Sequence, residues 1–382
     1  MNASSNPKQT ILFVTNKVSF FLSHRKEIAY QCIKDGYSVL LVAEKDADVR
    51  QLMDAGIEFF PIKTNRKSSL GIDDVRFLFS LMKVIKCNKP DLIHFITIKP
   101  VLLGGLLARL MNVPAVVFAI SGLGSVFVGR TFLKRLRRIL VFSLYKLIFR
   151  HQNFKVIFQN DFDQRLLTQR CDLAKEQIAF IPGSGVDLAL YNSMRHRFSE
   201  KLSVLFAGRL LLEKGIGDFL EAARLVRLRG LPVTFHVAGE PDDGNPSSIS
   251  SIVLNKAQAE GDVELLGFVA DMPNLLKEVD VFCYPTYYGE GVPKVLLEAC
   301  AAGLPIITTD HPGCRDVVSN GVNGVLIPPH SPQVIVDAVQ MFLEQPDLCD
   351  DYGKASRHKA VATYDVRDVV SSHLKIYKSL ID

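Results

Sequence analysis

Two carboxylates with seven residues between them, Glu290 and Glu298, stand in a segment whose residue types could bind a polar, anionic ligand. The segment reads YPTYYGEGVPKVLLEACAAGLPIITT, and the apolar runs at and before its ends predict a strand–loop–helix–strand crossover. Gly289 and Gly291 allow backbone to approach a ligand, and Pro293 suits the first turn of a helix. That helix start favours phosphate, and the carboxylates can accept hydrogen bonds from sugar and ribose hydroxyls. The alternative is a solvated loop charge at Glu290 and a surface helix residue at Glu298.

Two cations follow an earlier apolar run, SVLFAG, that also predicts a strand. Arg209 and Lys214 lie in the loop after it, and Gly215 and Gly217 mark the start of the next helix. Two cations beside free helical N–H groups can bind a diphosphate. Either cation alone is more often a solvated loop residue. Two loops at matching strand ends, one cationic and one with paired carboxylates, together predict a diphosphate-containing ligand.

The first half of the chain has its own candidates for contact with an anionic substrate. His24 and Arg25 open a predicted helix, which is an unfavourable place for cations because the helix dipole is positive there. His94 lies near the end of the predicted strand DLIHFI, and Lys99 follows that strand. Both should therefore lie at the carboxyl edge of a parallel sheet. A packed, hydrogen-bonded histidine is the alternative for His94.

Apolar strands alternate with helical patterns throughout the chain, which predicts an α/β protein with two Rossmann-like, doubly wound parallel sheets. We expect a first domain over residues 1–190, a second over 191–364, and a final helix over 365–382 that packs back on the first. The polar stretch Pro182–Lys201 resembles a linker, and a cleft between the domains is the expected ligand site. The predicted strands are TILFVT, SVLLVA, EFFPI, DLIHFI, AVVFAI and KVIFQN, then SVLFAG, TFHVAG, DVELLGF, DVFCYP, LPIITT and GVLIPP.

Composition excludes several classes of protein. With 382 residues and 48% hydrophobic content, the chain can form two large cores. Its 7 cysteines include no C-x-x-C pair, which argues against a zinc site or disulfide framework and favours a reducing, cytoplasmic compartment. We expect no metal and no secretory signal. Arg109 and Pro114 interrupt the best candidate for a run of roughly 20 apolar residues that could span a membrane.

Basic residues are concentrated in the first half: no Asp or Glu occurs between Asp91 and Asp161, whereas ten Lys and Arg do. Within this interval, the segment Arg130–His151 predicts an amphipathic helix with a basic face, of the kind that lies in a membrane interface. An ordinary helix with a solvated basic face is the alternative. Nucleic acid is less favoured, because no aromatic-studded sheet or reading helix accompanies the charge. The basic residues expected at the membrane are Arg130, Lys134, Arg135, Arg137 and Arg138.

Taken together, the motifs G-R at Gly208, E-K-G at Glu213 and EGVPKVLLEACAAGLP from Glu290 resemble glycosyltransferase family 4 of the two-Rossmann GT-B fold. The resemblance covers nearly the whole chain. It implies a retaining enzyme that uses a UDP-sugar and needs no metal to bind it. By that resemblance Arg209 and Lys214 hold the donor pyrophosphate, Glu290 the sugar hydroxyls and Glu298 the ribose. The backbone of Gly291, Val292, Pro293 and Lys294 contacts sugar and phosphate, and Phe268 and Val269 lie near the base.

The first half, with F-x-x-H-R at Phe21, H-x4-K at His94 and S-G-L-G at Ser121, is similar to bacterial transferases that extend polyprenyl-diphosphate-linked sugars. Two departures stand out: the first loop has no Gly pair, and Ser121–Gly124 offers neither His nor Asp near the reacting centre. Catalysis would then depend on stabilising the departing diphosphate, which can accept the acceptor's proton. A glutamate nucleophile is the rival mechanism.

The function expected is transfer of a hexose or N-acetylhexosamine from a UDP-sugar to a lipid-diphosphate-linked saccharide, at the inner face of the plasma membrane. The basic first domain would face the membrane and the acceptor, and the second would hold the donor. A soluble transferase, a nucleotide-sugar epimerase and a non-catalytic nucleotide-sugar-binding protein are the alternatives.

Overall fold

The computed structural model describes residues 8–63, 71–123, 132–191, 201–242 and 244–382. Its contacts divide the chain into two units, residues up to Ser184 with Val366–Asp382, and Gly185–Asp365. The chain changes unit earlier than the predicted boundary at residue 190. The reason is that Val186 already belongs to the second unit: it forms a parallel bridge with Asp365, and its N–H donates to the carbonyl of Tyr364 at 2.8 Å.

Seven parallel strands form the sheet of the first unit. Most residues of its five central strands are buried, which explains why these strands are largely apolar runs in the sequence. The strands are β1 Thr10–Lys17, β2 Ser38–Glu44, β3 Glu58–Pro61, β4 Leu92–Ile96, β5 Ala115–Ile120, β6 Phe154–Phe158 and β7 Ile178–Phe180. Their spatial order is β3-β2-β1-β4-β5-β6-β7.

Helices cover both faces of this sheet, each with its own apolar core. One face carries α1 Val18–His24, α2 Lys26–Lys34, α3 Arg50–Asp54 and the C-terminal α15 Val366–Ile381. The other carries α4 Ile72–Asn88, a π-helix Pro100–Gly104, α5 Gly105–Leu110, α6 Phe132–Ile148 and α7 Asp161–Cys171. The π-helix lies against the sheet because Gly104 has no Cβ, which would otherwise stand 2.3 Å from the Phe95 ring.

Six parallel strands form the sheet of the second unit, in the order β10-β9-β8-β11-β12-β13. They are β8 Leu202–Ala207, β9 Val233–Ala238, β10 Glu264–Gly267, β11 Val281–Tyr284, β12 Ile306–Thr309 and β13 Gly324–Ile327. The helices are α8 Ile216–Leu228, α9 Ser251–Ala259, α10 Met272–Leu275, α11 Lys294–Ala301, α12 Cys314–Val317, α13 Pro332–Glu344 and α14 Pro346–Thr363.

Each sheet has one point where the strand order reverses, between β1 and β4 in the first unit and between β8 and β11 in the second. The chain leaves the two strands of each pair in opposite directions, so a crevice opens at their carboxyl ends. Ligands of doubly wound sheets bind at such a crevice. The loops that follow β8 and β11 are the two that carry the candidate cations and carboxylates.

Candidate active site

The loops after β8 and β11 are in direct contact. The Tyr287 N–H donates to the carbonyl of Glu213 at 2.9 Å, and the Thr286 hydroxyl donates to the same oxygen at 3.1 Å. Gly215 has a φ of 84°, and a Cβ there would lie 2.2 Å from the carbonyl oxygen of Pro285. Glycine is therefore required for this contact, and the two separately predicted loops form one site.

Lys214 and Glu290 form an ion pair at the centre of this site, between Nζ and Oε2. Lys214 is only 5% exposed, and its Nζ lies 5.6 Å from the centre of the Tyr284 ring and 5.0 Å from that of Tyr288. Burial lowers the pKa of Lys214, and the charge of Glu290 opposes that shift. Little water screens the charge of Lys214, so this charge acts strongly on any polar group that comes close to it.

Arg209 lies at the same edge of the sheet. Its Nη1 is 3.1 Å from Oδ2 of Asp242, in the loop after β9. The side chain of Arg209 is 56% exposed, whereas that of Asp242 is 12% exposed. Sequence reasoning did not identify Asp242, since nothing in the sequence indicates that the loop after β9 reaches the loop after β8.

Glu298 lies one turn into α11, which begins at Lys294, one residue after the predicted start, with Pro293 as its N-cap. The Glu298 carboxylate is buried, and its Oε1 is 3.4 Å from Nζ of Lys294. Burial raises the pKa of Glu298, while Lys294 and a hydrogen bond from the Tyr191 hydroxyl oppose the rise. Glu298 is therefore not a surface residue. Side chains of helices tilt toward the helix N-terminus, so this carboxylate faces the start of α11.

The turn before α11 is packed tightly against a further loop. Gly291 and Val292 are buried, and a Cβ on Gly313 would lie 1.7 Å from the carbonyl oxygen of Gly291. Gly313 has a φ of 84°, so glycine is required there too. Gly313 was not predicted as a site residue. Its position after the apolar run of β12 was the only feature of the sequence that could have indicated it. Phe268, which follows β10 at the same edge, is 74% exposed, and Val269 beside it is half-buried.

In the first unit, Arg25 and His94 do not lie at the edge of the sheet, contrary to expectation. His94 is the third residue of β4 and is fully buried, and its Nδ1 lies 2.6 Å from the hydroxyl of Tyr377 on α15. Arg25 is 2% exposed and sits between α1 and α2, where the sequence predicted one helix. His24 ends α1, where the helix dipole favours a cation, so its position does not indicate a functional role.

A cluster of titratable side chains surrounds these two residues. The rings of His94 and His373 are 5.7 Å apart, and Tyr377 contacts both. Burial, the neighbouring histidine and Arg25 lower the pKa of His94 far below its usual value. Burial and then Arg25 lower the pKa of His373 to about 3. Burial likewise lowers the pKa of Arg25 to about 10. Both histidines are therefore neutral parts of the core.

Lys99 and His24 are more accessible than these core residues. Nζ of Lys99 is 2.9 Å from Oδ1 of Asp74 on α4, and its side chain is 28% exposed. The His24 ring stacks on Phe20, with centroids 4.2 Å apart. Of the segment Ser121–Gly124, the last residue lies outside the described part of the chain.

The predicted basic helix is α6, and the side chains of its first half are mostly exposed. Arg135 is exposed, and Arg137 and Arg138 are half-buried; Arg130 and the side chain of Lys134 lie outside what the structure describes. Apolar residues are exposed beside them, namely Phe132 at 78%, Leu136 at 55%, Ile139 at 57% and Leu140 at 57%. Within the described residues, no helix is long and apolar enough to cross a bilayer.

A second helix on the same face of the sheet also exposes apolar residues. α4 presents Ile72 at 70%, Val75 at 51% and Phe79 at 63% exposure, with Arg76 and Lys83 beside them. The spacing of three and four residues places the apolar side chains on one stripe. This stripe was not predicted from the sequence.

Comparison with known proteins agrees with this architecture. Residues 194–359 match the family described as Glycosyl transferases group 1, and residues 10–160 match the family described as Glycosyl transferase 4-like. Each match falls within one of the two units. The chain belongs to glycosyltransferase family 4.

Two similar enzymes cover almost the full length of this glycosyltransferase. One is the N,N'-diacetylbacillosaminyl-diphospho-undecaprenol alpha-1,3-N-acetylgalactosaminyltransferase of Campylobacter jejuni, 27% identical over 94% of this chain and 98% of that protein. The other is the UDP-Gal:alpha-D-GlcNAc-diphosphoundecaprenol alpha-1,3-galactosyltransferase of Escherichia coli, 25% identical over 90% of each chain.

Solved structures confirm the fold of this glycosyltransferase. HepE of Anabaena, in complex with UDP and glucose, superposes with a TM-score of 0.76 at 20% sequence identity, over 97% of this chain and 99% of that one. The predicted GT-B fold, with its two parallel-sheet α/β domains, is therefore correct.

Proposed function

We propose that this glycosyltransferase moves a sugar from a UDP-sugar to a lipid-diphosphate-linked saccharide, with retention of configuration, in bacterial glycan synthesis. The observation that carries the proposal is the ion pair of Lys214 with Glu290 at the β8/β11 crevice. It brings a desolvated cation and a hydroxyl acceptor together at the place where doubly wound sheets bind nucleotides. The names of both similar enzymes specify a diphospho-undecaprenol-linked acceptor, and one specifies a UDP-sugar donor.

The donor would be held by residues of the second unit. Arg209 and Lys214 neutralise the diphosphate, and the first N–H groups of α11 add the positive end of its dipole. Glu290 accepts hydrogen bonds from sugar hydroxyls, and Glu298 accepts them from the ribose. The exposed ring of Phe268, beside Val269, offers a surface on which a base can stack. The backbone of Gly291, Val292, Pro293 and Lys294 lies against sugar and phosphate.

The chemical step follows from these positions. The bond between the anomeric carbon and the diphosphate oxygen breaks, and its electron pair leaves with UDP. The acceptor hydroxyl attacks from the same face and gives its proton to the departing phosphate. Arg209 and Lys214 stabilise the charge that develops on that phosphate. These two cations supply the neutralisation that a metal ion supplies elsewhere, so we propose that transfer persists in a chelator.

A glutamate nucleophile is the rival mechanism, and Glu290 is its candidate. In the free protein the Oε2 atom of Glu290 is engaged by Lys214, and its Oε1 lies 3.5 Å from the hydroxyls of Tyr284 and Thr286. A carboxylate surrounded by donors is suited to accepting hydrogen bonds from hydroxyls, and these donors reduce its nucleophilicity. Trapping of a glycosylated Glu290 would decide for the rival.

We propose that the first unit binds the acceptor and the membrane. Lys99 and His24 remain candidates for the acceptor diphosphate, whereas burial removes Arg25 and His94 from direct contact. The exposed apolar side chains of α6, next to Arg135, Arg137 and Arg138, suit an anionic bilayer surface. The exposed stripe of α4 is a second apolar surface on the same face of the sheet. Each helix starts where a strand has ended, so both exposed halves lie at the carboxyl edge of the same sheet. We place the enzyme at the inner face of the plasma membrane.

Turnover separates this proposal from the alternatives. A panel of UDP-sugars is incubated with and without a polyprenyl-diphosphate-linked saccharide, and released UDP is measured. We expect one donor to give acceptor-dependent release. Release that needs only a soluble sugar indicates a soluble transferase, and interconversion of donors without UDP release indicates an epimerase. Binding of a donor without any reaction indicates a binding protein.

A further inference from the structure

The loop after β9, here called the β9 loop (residues 239–242 and 244–250), lies along the loop that carries Arg209 and Lys214. The Leu212 N–H donates to the carbonyl of Ser247 at 2.8 Å, and the Ile249 N–H donates to the carbonyl of Leu210 at 2.9 Å. Leu211 and Ser248 form an antiparallel bridge between these bonds. The cationic loop thus has an antiparallel partner outside the parallel sheet, which holds its backbone in place.

Two side chains of the β9 loop extend this contact to functional groups. Oδ2 of Asp242 lies 3.1 Å from Nη1 of Arg209, and the Ser247 hydroxyl donates to Oε1 of Glu213, the neighbour of Lys214, at 2.5 Å. Asp242 is itself fixed, because its N–H donates to the hydroxyl of Ser248 at 2.9 Å. The mostly buried carboxylate is therefore the anchor, and the exposed guanidinium is the group that it restrains.

We infer that Asp242 is a positioning residue that orients the guanidinium of Arg209 toward the leaving diphosphate. The inference rests on the proposed function, which assigns Arg209 to that diphosphate. An arginine side chain that nothing restrains loses rotamer entropy when it binds a ligand. Its ion pair with Asp242 restricts these rotamers before the donor arrives. A guanidinium has five N–H donors, so the pair leaves others for phosphate oxygens.

The carboxylate of Asp242 has opposite effects on binding and on rate. Its negative charge lies beside the diphosphate site and repels the bound donor. As the anomeric bond breaks, the diphosphate gains charge, and an oriented guanidinium stabilises that state more than the ground state. Removing the charge should leave the affinity for the intact UDP-sugar unchanged or increased while it lowers kcat, because the intact donor lacks the charge that develops on the leaving diphosphate. A purely structural role would not produce this division.

The test compares kcat and the Kd for the intact UDP-sugar, measured without acceptor, in the Asp242→Asn variant. We expect kcat to fall about tenfold, as for loss of a hydrogen bond between charged groups, with a Kd that does not rise. Asp242→Glu, which keeps the carboxylate, should recover part of the rate. In the R209A background, Asp242→Asn should change kcat no further, because Asp242 acts only through Arg209.

Asp262→Asn is the matched control, because it breaks a second Arg–Asp pair of the same unit, with Arg227 at 2.6 Å. That pair joins the end of α8 to Asp262, two residues before β10, at the opposite edge of the sheet, so kcat and Kd should not change. If Asp242→Asn lowers kcat by the same factor in the parent protein and in the R209A background, the inference is wrong. It is also wrong if R209A lowers kcat but Asp242→Asn does not. If R209A itself transfers sugar at the original rate, the proposed function fails instead.

Discussion

The two sheets reverse their strand order in the same way, but the residues near the two reversal points differ. After β8 and β11, the cation Lys214 and the carboxylate Glu290 of two loops meet at the carboxyl edge of the sheet. Near β1 and β4, the charged and polar candidates Arg25 and His94 lie inside the core with residues of α15. The strand order determines where a crevice forms. A residue can line that crevice only if it lies beyond the end of its strand. Arg209 follows the end of β8, whereas His94 is in the middle of β4.

Among substitutions in the second unit, loss of Lys214 should lower kcat the most. In Lys214→Met the desolvated cation is gone and Glu290 loses its partner, so we expect kcat to fall by a factor of about 10² to 10³. UDP release with donor and lipid acceptor measures it. Lys99→Met is the control, because it removes a half-buried lysine and its ion pair with Asp74 from the first unit. UDP affinity should fall in Lys214→Met and stay the same in Lys99→Met. If both variants bind UDP equally well, the assignment of the diphosphate to the second unit is wrong.

Charge removal on α6 should have the next largest effect, and on membrane binding alone. Each basic residue near an anionic leaflet contributes about 1 kcal/mol, so neutralising Lys134, Arg135, Arg137 and Arg138 together should weaken vesicle binding at least about 100-fold. Sedimentation with phosphatidylserine-containing vesicles at low and high salt measures this. The control neutralises the same number of cations in the second unit, at Arg224, Arg229, Lys256 and Lys277.

Replacing exposed apolar residues tests apolar contact with the membrane separately from charge attraction. Val75→Gln with Phe79→Gln on α4, which add no charge, should also reduce vesicle binding, and raising the salt concentration should not abolish the difference from the parent protein. UDP affinity should be unchanged in these variants. Vesicle binding that survives both the α4 and the α6 changes would show that the membrane surface lies elsewhere.

Substitution of Glu298 should have a smaller effect that is confined to nucleotides with ribose hydroxyls. Glu298→Gln keeps the shape but removes the charge, so UDP affinity should fall about tenfold. The affinity for 2′,3′-dideoxyuridine diphosphate should be the same in the parent and the variant. Calorimetric titration with both nucleotides is the measurement. An equal loss for the two nucleotides would contradict a ribose contact.

Acidification should weaken the first unit more than the second. The pKa values of His94 and His373 are lowered in the folded state, so unfolding takes up protons below the ordinary histidine value of about 6.5. The free energy of unfolding should therefore fall as the pH falls, by about 1.4 kcal/mol per pH unit for each histidine. Amide hydrogen exchange at pH 7 and pH 5 resolves the two units. A His373→Leu variant should reduce the difference; the same slope in both units would refute this reading of the cluster.

The same comparison shows what could be predicted from the sequence. Buried parallel strands are apolar runs, so every strand except the short, partly exposed β7 was predictable from pattern, and so was the loop that carries Glu290. Arg25 and His94 were misplaced because pattern does not show how far a strand extends, or that α15 supplies Tyr377 as a buried hydrogen-bond partner. Asp242 and Gly313 were missed because their roles arise from contacts between loops that are distant in the sequence.

Binding and transfer by the Arg209→Ala, Lys214→Ala double variant test the central claim most directly. The Kd for UDP and the rate of sugar transfer are measured on the same folded protein. If the diphosphate is held by these two cations, UDP affinity falls at least about 100-fold and transfer becomes undetectable above background. A double variant that keeps the parent's UDP affinity and transfer rate contradicts the account.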